Sequence, residues 1–161
     1  MNSVLLDSSF LIALSNDARS EHQTAQRYFF EFMERRVQMY LSTIVISEYE
    51  TRQRITDLGL HNFHIVPFNI DDAITAAQVF STMHRTRVKS DSRVAVSADA
   101  KILGQCINAG IEVFATSDTT CCQRIERIRS EPGLAALPRG LNVRLPFDSS
   151  WFENGQKSLD V

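Results

Sequence analysis

The stretch SVLLDSSFLIAL, residues 3–14, decides the fold. Val4, Leu5 and Leu6 make a short apolar run of the kind that forms a buried strand, and Asp7 stands where that strand should finish. A second apolar stretch, from Phe10 to Leu14, follows at once. A carboxylate at such a junction needs a reason, because it lies beside groups destined for the core.

Working outward, the same alternation of strand and helix signals continues. SEHQTAQRYFFEFMERR reads as a helix: Ala25, Tyr28, Phe29, Phe32 and Met33 recur every three or four residues, and Ser20 is its expected N-cap. QMYLS, Gln38 to Ser42, reads as a strand. TIVISEYETRQRITDLG reads as one helix closed by Gly59. FHIVPF, Phe63 to Phe68, is a short strand, and DDAITAAQVFSTMHR a helix with acids in its first turn. After the polar, basic loop TRVKSDSR come the helix VAVSADAKILGQCINAG, the strand IEVFATSD and the helix TTCCQRIERIRS. EPGLAALPRG is turn-rich and LNVRLPF reads as a last strand. The alternation predicts an α/β fold with a central, mostly parallel sheet flanked by helices. Residues 1–147 form one domain on this reading, and 148–161 a loosely held polar tail.

Composition narrows the class. With 161 residues, 43% hydrophobic, the chain can bury a sizeable core. Its 17 basic and 19 acidic residues nearly balance, so only their distribution speaks to nucleic acid. Cys106, Cys121 and Cys122 form neither an even disulfide framework nor a zinc motif, which points to reduced thiols in a cytoplasm. The N-terminus has no basic segment ahead of its apolar stretch, and no apolar run approaches the roughly 18 residues of a membrane span.

In parallel sheets the functional crevice lies beyond the carboxyl ends of the strands, so acids placed there are the informative ones. Asp7 ends the first strand and Asp118 ends IEVFATS, and both project from the same sheet edge. Glu48 sits beside the buried face of TIVISEYE. Asp99 lies among Ala95, Val96, Ile102 and Leu103, and neither helix offers an obvious Lys or Arg on that face. Each acid also has an ordinary explanation. Asp7 or Asp118 could cap the helix that follows, Glu48 could turn to solvent, and Asp99 could pair with Lys101 or a distant Arg. Together they make a different case. Several carboxylates facing one crevice repel unless a cation compensates them, and oxygen-only donors favour Mg2+ or Mn2+. Such clusters hold one or two metals, about 3.5–4 Å apart when paired, that activate water against a phosphodiester.

These pieces, VLLDSSFLIAL, STIVISEYE, FHIVPFNIDDAITAAQVF and DAKILGQCINAGIEVFATSD, resemble in their order a PIN domain, specifically the toxin half of VapBC toxin–antitoxin pairs. Asp99 to Gly110 is 11 positions and Gly110 to Asp118 is 8, close to that family's spacing. The resemblance implies a PIN-like fold and a Mg2+- or Mn2+-dependent endoribonuclease. Its acids fall on Asp7, Glu48, Asp99 and Asp118, with metal on Asp7, Asp99 and Asp118, and its polar residue beside the fourth acid on Thr116. It also implies a homodimer and a small antitoxin partner lying in a groove near the acids. The stripe Tyr28, Phe29, Phe32 and Met33 either lines that groove or packs on the sheet. The chain departs from the pattern at Leu103 and Gly104, where small residues are usual, and Asp91 is an alternative third acid.

Arg85, Arg87, Lys89 and Arg93, just ahead of Asp99, are the expected substrate-binding cluster for RNA, with Arg52 and Arg54 after Glu48 and Arg124, Arg127 and Arg129 after Asp118 as further basic groups. Ser8 and Ser9 read as helix-capping residues, and His22, His61, His64 and His84 are scattered. The second functional reading is a catalytically weak PIN module that binds RNA or protein as a scaffold. A phosphotransfer enzyme with Asp7 as nucleophile fits poorly, because Ser9 stands where haloacid-dehalogenase-like phosphatases carry a second Asp.

Overall fold

A computed structural model describes residues 1–88 and 92–153. Its centre is an all-parallel sheet of β1 (Ser3–Leu6), β2 (Gln38–Ser42), β3 (His64–Val66), β4 (Val113–Thr116) and β5 (Arg139–Asn142), in the spatial order β3-β2-β1-β4-β5. The chain therefore winds outward from β1 in one direction, then returns to β1's other side with β4. Strand order reverses between β1 and β4, which is where an open parallel sheet leaves a crevice. Every residue of these two strands is buried, as their unbroken apolar composition requires.

The helices are α1 (Ser8–Ser15), α2 (His22–Glu34), α3 (Thr43–Glu50), α4 (Ile70–Arg85), α5 (Arg93–Ala109) and α6 (Thr119–Ile128). Gly110 closes α5 with φ of 64°, a conformation few residues other than glycine adopt. Asn69 and Asp72 form a reciprocal capping box at the start of α4. Asn108 of α5 donates to the same Asp72 carboxylate at 2.9 Å.

Several sequence boundaries move. The segment read as one helix from Thr43 to Gly59 is α3, a turn, and a 3-10 turn over Ile55–Leu58. Glu50 accepts a hydrogen bond from the Ile55 amide at 2.7 Å, and Thr51 Oγ1 donates to the Glu48 carbonyl at 2.7 Å. These local bonds compete with helical pairing and fold the chain back. Helix α2 begins at His22 after Glu21 rather than after Ser20, whose hydroxyl donates to Glu21 instead. The last strand is RGLN, earlier than LNVRLPF.

Tyr28 and Phe32 of the apolar stripe are buried, so the stripe's centre packs on the core, while Phe30 and Met33 face solvent. Residues 147–153 join that packing. Phe147 and Phe152 lie 4.7 and 6.2 Å from the Tyr28 ring, and the Tyr28 hydroxyl accepts from the Asp148 amide at 2.9 Å. The aromatic pair thus holds as far as residue 153 a stretch that its polar surroundings marked as loose. Among the described residues no helix is long and apolar enough to cross a membrane.

Gly104 carries the close contact of α4 with α5. Leu103 is fully buried, and a Cβ on Gly104 would stand 2.8 Å from the Ala76 amide nitrogen and 3.0 Å from the Asp72 carbonyl oxygen. Both are backbone atoms, so the helices would have to part. Gly104→Ala is expected to destabilise the fold by ~1–3 kcal/mol in denaturant unfolding, despite the higher helix propensity of alanine. A variant as stable as the parent would show that the crossing has slack.

Candidate active site at the carboxyl edge of the sheet

Asp7 stands at the N-cap position of α1, yet its side chain makes no capping bond. Its oxygens are held instead by hydroxyls from two directions. Ser9 Oγ donates to Oδ2 at 2.6 Å and Thr116 Oγ1 to the same oxygen at 2.8 Å. The backbone amide of Asp7 continues the β1–β4 ladder onto the Ala115 carbonyl at 2.9 Å. Pairing of β1 with β4 is therefore what brings Thr116 to Asp7. The Ser9 and Thr116 hydroxyls lie 2.9 Å apart, the Ser117 amide donates to Ser9 Oγ, and the Asp118 amide donates to Thr116 Oγ1. The ordinary explanation for Asp7, helix capping, does not hold.

Glu48 reaches the same place from α3. Ser8 Oγ donates to its Oε2 at 2.9 Å, while the same hydroxyl lies 3.5 Å from Asp7 Oδ1. Burial raises the Glu48 pKa, the Ser8 hydrogen bond opposes this, and the Asp7 charge adds to the rise. Glu48 is thus turned inward, not to solvent. Its helix is anchored by Ser42, which caps α3 through the Ile44 amide and hydrogen-bonds the buried Gln105 side chain of α5.

Asp99 has the partner that local sequence did not offer. Arg124 of α6 lies 2.6 Å from its Oδ2, with side chains only 3% and 16% exposed. Even so, the Asp99 pKa is pushed up to about 7. Burial is the main cause; Arg124 opposes it, Asp7 and Asp118 add to it, and a hydrogen bond with Cys121 works against it. Asp118 is the N-cap of α6, its Oδ1 accepting from the Thr120 and Cys121 amides at 2.8 and 3.1 Å. The capping explanation holds for this acid, although its charge still reaches Asp99. The candidate Asp91 lies outside the described residues.

The structure therefore gathers Asp7, Glu48, Asp99 and Asp118 at one edge, from four separate segments. All their donor atoms are hard oxygens, the set that suits Mg2+ or Mn2+, and their mutual repulsion is the kind a divalent cation relieves. Among the described residues, however, no three acidic, histidine or cysteine side chains are placed to share a metal ion. The Arg124 pair occupies Asp99 and the helix cap occupies one oxygen of Asp118.

Of the expected substrate-binding cluster, Arg85 bonds Glu131 at 2.8 Å, Arg87 and Arg93 are exposed, and Lys89 lies outside the described residues. Arg124 and Arg129 are also engaged by the fold, on Asp99 and on the Leu137 and Pro138 carbonyls. Three of the four histidines hold local structure: His22 bonds the Ala13 carbonyl, His64 packs on Tyr40 and His84 on Phe80. Sequence reading missed the direct roles of Ser8 and Ser9. The signal was there, two hydroxyls immediately after a strand-end acid, but helix capping explained it equally well.

Comparison with solved structures bears on the fold. FitAcB from Neisseria gonorrhoeae is 18% identical with a TM-score of 0.60, covering 89% of this chain and 99% of that one. DNA-bound VapBC from Salmonella typhimurium is 16% identical with a TM-score of 0.54, covering 89% and 99%. VapBC2 from Rickettsia felis, bound to a DNA fragment from its promoter, is 13% identical with a TM-score of 0.56, covering 87% and 98%. No family model and no curated protein matches the chain. The chain has the PIN-like fold that its sequence led us to expect.

The raised Asp99 pKa has a consequence for stability. The folded protein keeps on Asp99 a proton that the unfolded chain releases near the ordinary value of 3.8. Its stabilising contribution is full below that pH and is lost as pH rises through about 7. With chelator present, the wild-type Tm is expected to fall by several °C relative to Asp99→Asn between about pH 4 and pH 8. Thermal scans of the two proteins showing a pH-independent difference would contradict this.

Proposed function

We propose that this chain is an endoribonuclease that hydrolyses RNA phosphodiester bonds with Mg2+ or Mn2+, and that it is the toxin of a toxin–antitoxin pair acting in the cytoplasm. The observation that carries the reading is Asp7. It ends the central strand beside the switch point, is free of capping duty, and its charge reaches both Glu48 and Asp99. A cation on Asp7, Asp99 and Asp118 would require Asp99 to leave Arg124, and would then supply an activated water and neutralise charge developing on the phosphate.

The chain's own groups have separable tasks. Ser9 and Thr116 fix the Asp7 carboxylate in one orientation by donating to the same oxygen. Ser8 fixes Glu48 at the crevice wall. The raised pKa of Glu48 suits it to accept a proton at the reacting centre. Solved structures of similar fold are FitAB and VapBC assemblies, which supports a protein partner for this chain. The exposed Ile70, Ile74 and Val94 of α4 and α5 supply apolar surface for an antitoxin or for a homodimer.

A second reading, a PIN module that binds RNA or protein without cutting it, is favoured by one observation. Arg124 already satisfies Asp99, and no three acids are placed to share a cation among the described residues. One experiment separates the two. The purified chain is expected to cleave RNA with Mg2+ or Mn2+ and to stop with chelator. Asp7→Asn and Asp99→Asn are each expected to lower the rate at least ~100-fold while remaining folded. Cleavage that ignores chelator, or full activity in both variants, would overturn the mechanism, and binding without cleavage would select the scaffold.

A further inference from the structure

Two open hollows flank the Asp7 centre. One, of about 430 Å3, is walled by Glu48, Thr51 and Arg52, and the other, of about 330 Å3, by Asp118, Thr120 and Arg144. Ser9 and Arg19 line both. They are therefore two halves of one trough that crosses the acids, with Ser9 and its partner Asp7 at the midpoint. The wall carrying Arg52 is fixed, because Gln53 accepts from both Ser15 at 2.7 Å and Tyr49 at 2.6 Å, tying the ends of α1 and α3 together.

The arginines of the trough differ from those elsewhere in the fold. Arg35, Arg85 and Arg124 are spent on Glu31, Glu131 and Asp99, while Arg27 and Arg139 lie over the Phe147 and Trp151 rings. Among the described residues, Arg19, Arg52 and Arg144 make no side-chain hydrogen bond or ion pair. Arg19 and Arg144 do share one influence. Both lie close enough to Glu21 to lower its pKa, against the burial of that carboxylate. Glu21 is only 5% exposed, and its Oε1 has no hydrogen-bond partner. Glu21 makes no hydrogen bond or ion pair with either, so its charge acts on both guanidinium groups while their donors stay open.

We propose that the trough is the track of a single RNA strand. Arg52 takes a phosphate on one side of the scissile bond, Arg144 takes one on the other, and Arg19, which lines both hollows, takes one between them. This rests on the ribonuclease reading and adds to it the residues that hold the strand, in place of the loop cluster of Arg85, Arg87 and Arg93. Neither hollow has an aromatic residue in its lining, so bases have no stacking platform there. The strand is held by its backbone, and binding is tolerant of sequence and sensitive to salt. Thr51 and Thr120 stand along the same walls, with the Thr51 hydroxyl already donating to the Glu48 carbonyl.

The test is fluorescence anisotropy of labelled single-stranded RNA with the full chain in chelator, across a KCl series. Three phosphate contacts correspond to a log–log salt slope of about −2, at about 0.7 per contact. Arg19→Ala, Arg52→Ala and Arg144→Ala are each expected to flatten the slope by about 0.7 and to weaken binding several-fold, equally for oligo-U and mixed sequence. Arg36→Ala, at the opposite, amino edge of the sheet beside Gln38 and Met39, is expected to change neither. Wild-type binding that survives all three trough variants but fails in an Arg85, Arg87 and Arg93 triple alanine variant would overturn the track and leave the ribonuclease reading intact. Tighter binding of DNA than of RNA of the same sequence would overturn the choice of substrate strand. Wild type that neither binds nor cuts RNA would remove both readings together.

Discussion

Negative charge gathered at one edge of a parallel sheet is the constraint that the rest of this molecule accommodates. Four carboxylates arrive there, and each is compensated differently. Asp7 receives hydroxyls from α1 and β4, Glu48 receives one from Ser8, Asp118 is spent on the first turn of α6, and Asp99 is held by a buried arginine. Hydroxyls and backbone amides are neutral donors, which orient a carboxylate without cancelling its charge, so only Asp99 meets an opposite charge, from Arg124.

The compensation reaches into the packing. Arg124 meets Asp99 across α5 and α6, so the third acid depends on how those two helices lie. Helix α5 is in turn set against α4 by Gly104, where the backbones touch closely enough to exclude a Cβ. It is tied to the ends of β2 and β3 by Gln105, which bonds Ser42 and the Val66 carbonyl. A buried polar group with both of its ends satisfied fixes position more narrowly than apolar contact does. The site is thus supported by α5 along most of that helix's buried face, including Ile102, Leu103 and Cys106.

The element order and the parallel sheet were legible because they follow from periodicity. Burial on both faces makes a parallel strand uniformly apolar, as in Val4 to Leu6, and a half-buried helix repeats every three to four residues, as in Ala25 to Phe32. What misled was side-chain chemistry that acts on the backbone. Glu50 and Thr51 end α3 within an uninterrupted helical pattern, and Ser20 gives its hydroxyl to Glu21 instead of to a helix amide. For residues 148–153 the sequence shows polarity but gives no sign of Tyr28, 120 positions from Asp148.

By itself the sequence determined which residues end strands and which face a core, since those depend on neighbours a few positions away. It therefore placed Asp7 and Asp118 on one edge. Tertiary structure alone decided what each acid touches. Asp7 and Thr116 are 109 residues apart, and Asp99 and Arg124 are 25. Hydrogen bonds and ion pairs act over about 3 Å, so only the adjacency of β1 with β4 and of α5 with α6 could choose those partners.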